Sequence, residues 1–159
     1  IHDHKIQIDS EETFAVDENM TLLDSLEKVA ASARDFRDPV FLRDAIPNLF
    51  QEHGDLYWLG ETEAPLPVAR VEDATSGRVL EVATDLPSLQ FYTSVSLDGS
   101  LVGKAGQNYP PFSGLCLECE GYPHAMGPGP FGNILVSPDK PQTSRTIYTF
   151  STDSTLSGH

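Results

Sequence analysis

Six short runs of strand-forming residues, separated by turn signals, constrain this chain more than any other feature of it. Residues 4–8, 67–71, 78–84, 89–93, 115–120 and 145–150 are each alternating or continuous in apolar character, and each is short for a helix. Between them, Thr75-Ser76-Gly77 and Leu97-Asp98-Gly99 read as hairpin turns, and residues 122–132 form a Pro/Gly-rich loop. Twelve glycines and twelve prolines supply the turns that many short strands need. The expectation is an all-β fold, an antiparallel β-sandwich, in one domain over residues 1–159, because no linker, repeat or low-complexity tract divides the chain. One segment dissents. Leu22, Leu26, Val29, Ala30 and Ala33 fall at helical spacing, with Thr21 placed as an N-cap.

Two of the runs carry a polar group where alternation would place a packing residue. In Leu115-Cys116-Leu117-Glu118-Cys119 it is a carboxylate, and in Leu89-Gln90-Phe91-Tyr92-Thr93 a side-chain amide. A buried carboxylate without a partner is costly, so Glu118 is either a solvated surface group or part of a polar site. Cys116 and Cys119 are three apart, which on a strand puts them on opposite faces and keeps them from bridging each other or sharing a metal. They read as packing residues; a disulfide to another chain stays open in an oxidising compartment.

Charge narrows the partners. Twenty-four Asp plus Glu against ten Lys plus Arg give a net charge of −14, which repels phosphate backbones and anionic lipid surfaces, so no nucleic-acid and no membrane partner is expected. With 39% hydrophobic and 21% charged residues, the composition is that of a globular domain rather than a disordered tail. The chain starts at Ile1-His2-Asp3-His4, which reads as a processed or truncated start, and Asn19-Met20-Thr21 is an N-glycosylation sequon. A secreted glycoprotein and a cytoplasmic protein both stay open. His2 and His4 lack further ligands, and no phosphate-binding glycine loop, nucleophile elbow or zinc-type cysteine pattern is present; no metal and no cofactor is expected.

The residues around Gln90 and Glu118 carry a resemblance. Ala69-Arg70-Val71, Ser76-Gly77-Arg78-Val79-Leu80-Glu81-Val82, Gln90-Phe91-Tyr92-Thr93, Leu97-Asp98-Gly99, Gly103-Lys104, Tyr109-Pro110, Ser113-Gly114 and Cys116-Leu117-Glu118 follow one another as in the C-terminal half of the aldose 1-epimerases, the galactose mutarotases. Earlier, Asp3-His4 and Val16-Asp17-Glu18 resemble that family's strand and turn, and Asp35-Phe36-Arg37 resembles its Phe-Asp-Phe-Arg stretch. The likeness runs from about Asp3 to Phe150. It implies the galactose mutarotase-like sandwich, of which this chain is the C-terminal portion, and an extended rather than helical segment from Leu26 to Arg37.

It also implies a function. Mutarotation interconverts the α and β anomers of a hexose such as galactose or glucose by acid/base ring opening. By resemblance Glu118 is the catalytic base and Gln90 a sugar-binding amide, the two meeting over one pocket. Three departures stand out. The family's acid histidine precedes Ile1; an ungapped match puts Gly54 at the substrate-binding aspartate, which only a one-residue shift restores as Asp55; and Glu120 adds a second acid on the face of Glu118. His124 stands where the family commonly has a pocket-rim aspartate. Tyr57 and Trp58 are assigned to the sandwich core ahead of stacking on a sugar. The expected partners are a hexose and a companion polypeptide carrying the earlier strands, or self-association in its place. The alternative is a non-catalytic carbohydrate- or ligand-binding or structural module on the same fold.

Overall fold

Tight turns with fixed chemistry decide where the strands begin and end. The computed structural model describes residues 1–49, 54–127 and 129–153. Among them are ten strands: β1 His4–Ile8, β2 Glu12–Val16, β3 Leu22–Lys28, β4 Val40–Phe41, β5 Asp55–Trp58, β6 Leu66–Asp73, β7 Arg78–Thr84, β8 Ser88–Tyr92, β9 Cys116–Glu120 and β10 Thr146–Thr152. The expected turn after β6 forms as Gly77, at φ +70°, donates its N–H to the Asp73 carbonyl at 2.8 Å. Pro128, inside the Pro/Gly-rich loop, lies outside the described residues.

The strands build two five-stranded antiparallel sheets, ordered β10-β7-β6-β1-β4 and β3-β2-β5-β8-β9. Side chains alternate across each strand, so every second residue meets the facing sheet. Ile6 and Ile8 of β1, Val71 of β6 and Val82 of β7 pack in one core with Tyr57 of β5, Leu89 and Phe91 of β8 and Leu117 of β9. Phe36, from the segment between β3 and β4, enters this core edge-on to Phe91, at 5.5 Å and 83°. This is the sandwich that the alternation implied.

The second sheet also bears apolar cover on its outer face. Phe14 stacks on Tyr122 at 4.3 Å and meets Phe131 edge-on at 4.8 Å, while Leu56 and Trp58 complete the cluster. The loop after β9 supplies Tyr122 and Phe131. Tyr57 and Trp58 therefore belong to the two opposite packings of β5, as core residues.

The helical spacing around Leu26 is overridden. Residues 22–28 pair with β2 in the register Glu12–Lys28, Thr13–Glu27, Phe14–Leu26 and Val16–Leu22. Thr21 caps no helix, because Asp17 Oδ1 accepts the N–H groups of Asn19 and Thr21 and folds the chain back as a hairpin. A helix, α1 Leu42–Ala45, forms where the sequence reading placed none; at four residues it is too short to carry a periodic signal. Cys116 and Cys119 are both free: Cys119 packs against the main core, and Cys116 lies beside Glu118 on the other face.

Phe91 is 1% exposed, so Phe91→Ala is expected to cost about 3–5 kcal/mol in urea unfolding. Leu101, 59% exposed, is expected to tolerate replacement by Ser within about 0.5 kcal/mol.

Candidate functional site

β8 and β9 pair with Leu89 opposite Cys119, Gln90 opposite Glu118 and Phe91 opposite Leu117. Leu89, Phe91 and Leu117 fill the core, so alternation sends Gln90 and Glu118 out on the other face. Directly opposite residues have Cβ atoms about 4.5–5.5 Å apart, and the amide and carboxylate rise side by side. Leu56 stands opposite Gln90 on its other flank, which gives a row Leu56–Gln90–Glu118 across three strands. Gln90 is half-buried and Glu118 exposed.

A cavity of about 560 Å³ opens beside this row, within the roughly 300–1,000 Å³ range of small-molecule sites. Its origin is a split between two strands. β2 and β5 pair only at Glu12–Trp58 and Thr13–Tyr57, and the cavity is walled by Phe14 and Val16 from one strand and Asp55 and Leu56 from the other. Arg34, Asn48 and Gln90 are its other polar walls. Glu118 is not among the lining residues, so of the two polar groups expected over one pocket, Gln90 faces the cavity and Glu118 stands one strand beyond it.

Asp55 occupies a different place from the row. It opens β5 opposite Phe91, on the core-facing parity, and is only 9% exposed. Burial raises its pKa to about 6, against the opposing pull of Arg34 and with a small push from the charge of Glu27. The Arg34 guanidinium lies 3.7 Å from Asp55 Oδ1 and 2.7 Å from Glu27 Oε2. The residue before Asp55 is forced to be glycine. Gly54 has φ +75°, and a Cβ there would sit 2.1 Å from the Phe91 carbonyl oxygen. The position that an ungapped match would give to an aspartate cannot hold a side chain, and Asp55, the next residue, lines the cavity.

Other residues fall away from the cavity. Glu120 shares the face of Glu118, and burial together with the charge of Glu118 raises its pKa. His124 is exposed, its Nδ1 3.5 Å from the Tyr122 hydroxyl, which itself donates to Asp24 Oδ1 at 2.7 Å. His2 packs edge-on to Phe112 in the turn before β1. Among the described residues, no three His, Cys, Asp or Glu side chains gather in a way that would hold a metal ion. The sequence reading missed Arg34. Its signal was available in the stretch Arg34-Asp35-Phe36-Arg37, where a guanidinium stands at the first position of a Phe-Asp-Phe-Arg pattern.

The family model described as aldose 1-epimerase matches residues 1–149. The galactose mutarotase of Rattus norvegicus is 37% identical over 153 residues, and that of Homo sapiens 37% identical over 155; each match covers 95% of this chain and 44% of the relative. The aldose 1-epimerase of Escherichia coli (strain K12) is 29% identical over 160 residues, covering 94% of this chain and 45% of its own. Among solved structures, the aldose epimerase homologue from C. elegans has a TM-score of 0.71 at 20% identity, covering 96% of this chain and 46% of that one. The galactose 1-epimerase from Lactobacillus acidophilus NCFM has the same TM-score at 21% identity, covering 95% and 44%. These structures share the fold. The chain spans about half the length of the relatives it matches.

Asp55 makes stability depend on pH. Its folded pKa of about 6 lies above the ordinary 3.8, so between those values the native state binds more protons than the unfolded one, and stability falls as pH rises through that window. The full loss, reached above about pH 6, is about 3 kcal/mol. Asp55→Asn is expected to remove that slope and to unfold later than wild type at pH 7.5 but not at pH 4, as read by urea midpoints at the two pH values.

Proposed function

The chain belongs to the aldose 1-epimerase family, and on that premise we propose that it is the C-terminal part of a protein that interconverts the α and β anomers of a hexose, galactose or glucose. The observation that carries this reading is the direct cross-strand pairing of Gln90 with Glu118 on the face turned away from the core. In the proposed reaction Glu118 takes the proton of the anomeric hydroxyl. That electron pair becomes the aldehyde C=O bond, the C1–O5 bond breaks, and an acid protonates O5. Rotation about C1–C2 and reversal of the same transfers close the ring as the other anomer. Gln90 holds sugar hydroxyls through its amide, and Asp55 accepts a hydrogen bond from another. These proton transfers complete the reaction, so no cofactor is part of the proposal.

The acid for O5 comes, on this reading, from a histidine in a companion segment, since the family's acid histidine has no counterpart here. The companion carries the earlier strands, or a second copy of the chain supplies equivalent cover. The chain's 44% coverage of the galactose mutarotases supports this, as does the exposed strand β10 at one end of its sheet. Residues 146–152 carry no charge, and Ile147, Tyr148 and Phe150 are 50%, 49% and 78% exposed, which is an edge that favours pairing with a further strand. Sedimentation of the purified chain is expected to give species larger than one chain; a compact, cooperatively unfolding monomer contradicts the companion proposal.

One observation favours a second reading, a non-catalytic sugar-binding module. Gly54 leaves the ungapped aspartate position without a side chain, and Asp55 lies off the Gln90–Glu118 row. Polarimetry of the native assembly separates the two. Glu118→Gln keeps the shape and removes the base, so kcat is expected to drop by roughly 10²–10⁴-fold, whereas Gln90→Ala is expected to weaken sugar binding by about 1–3 kcal/mol. An unchanged rate in Glu118→Gln overturns the catalytic assignment. Sugar binding without any mutarotation in the unmodified assembly establishes the module instead.

A further inference from the structure

We infer that Arg34 is the positioning residue of the cavity: it holds the buried Asp55 carboxylate ionised and turned toward a bound sugar. The inference rests on the sugar-binding role proposed for Asp55. Three observations on separate elements converge on it. The backbone of Arg34 is pinned, because the hydroxyl of the fully buried Tyr57 donates to the Arg34 carbonyl at 2.9 Å and Ser32 Oγ accepts the Arg34 N–H at 3.1 Å. Its guanidinium is clamped from the solvent side by the 2.7 Å bond to Glu27. The same group reaches Asp55 at 3.7 Å, longer than a direct hydrogen bond, while both residues line the cavity.

The charge arithmetic gives the clamp its purpose. A carboxylate 9% exposed at the start of β5 loses most of its hydration, and an uncompensated charge there would be neutralised by proton uptake. The charged groups acting on Asp55 are Arg34 and Glu27 of β3, with Tyr57 of β5 beside it; Asp35, which acts on Tyr57, has its own carboxylate bonded bidentately to Arg37 at 2.8 Å. Arg34 is the one cation of that set facing Asp55, and the loose 3.7 Å approach leaves it a source of charge rather than a partner that covers the carboxylate. Asp55 is thereby kept at neutral pH as an acceptor-only carboxylate, which gives a sugar hydroxyl a stronger, charge-assisted hydrogen bond. A guanidinium at the first position of the Phe-Asp-Phe-Arg pattern and a carboxylate displaced by one residue from the expected aspartate thus meet as a pair on one cavity wall.

The test reads the charge of Asp55 directly, apart from any sugar. In the native assembly with ¹³C-labelled aspartate, the side-chain carboxyl signal lost in Asp55→Asn identifies Asp55, and its pH titration is followed by NMR in wild type, Arg34→Gln and Arg34→Lys. The wild-type midpoint is expected near 6. Arg34→Gln is expected to raise it by about 1 pH unit or more, and Arg34→Lys, which restores the charge, to return it close to wild type. If Arg34→Gln titrates as wild type does, or if Arg34→Lys behaves like Arg34→Gln, the inference is overturned. Galactose binding to the same variants at pH 7 separates this from the functional reading, which expects roughly a twofold loss in Arg34→Gln for a midpoint raised by one unit and roughly tenfold for one raised by two. A raised midpoint with unchanged galactose affinity upholds the charge coupling and removes Asp55 from the sugar site.

Discussion

The register between β8 and β9 is the constraint on which everything else depends. Side chains alternate with a period of two, so a slip of one residue would turn Gln90 and Glu118 into the sandwich and put Leu89, Phe91 and Leu117 in water. The apolar residues therefore fix the polar pair more firmly than any contact between the two polar groups. Phe36 secures the same register from the side by packing against Phe91. On the outer face Phe14, Tyr122 and Phe131 pack against Leu56, the apolar member of the same row.

The cavity beside the row comes from strands that stop pairing. β2 and β5 share two paired positions and then part, and the start of β5 follows Gly54, at a positive φ and a close approach to the Phe91 carbonyl that only glycine accommodates. Asp55 follows at once, where burial and the attraction of Arg34 pull its proton affinity in opposite directions and burial prevails. A site of this kind trades stability for a charged wall, as polar cavities with desolvated groups do.

Much of this was legible in the sequence, for reasons that differ by element. The strands around Gln90 and Glu118 were readable because an alternation of two faces and flanking turn residues are local properties, and the observed β8 and β9 lie within a residue of the expected runs. The segment around Leu26 was ambiguous because its helical spacing is also local, while the ladder with β2 that makes it a strand is not. α1 left no signal at four residues, and β5 was hidden by its brevity. At the site, residue types on single strands could be read in advance. The Arg34–Asp55 pair could not, because it joins a loop to a strand end about twenty residues away and exists only once both sheets are built.

The central claim is that the Gln90–Glu118 row is a hexose site, and a crystal structure of the native assembly with galactose bound tests it most directly. The account predicts electron density for the sugar over the outer face of β8 and β9, with its anomeric hydroxyl within hydrogen-bond distance of Glu118 and another hydroxyl bonded to the Gln90 amide. Galactose seated elsewhere, or a row that stays bare at saturating sugar, would contradict it.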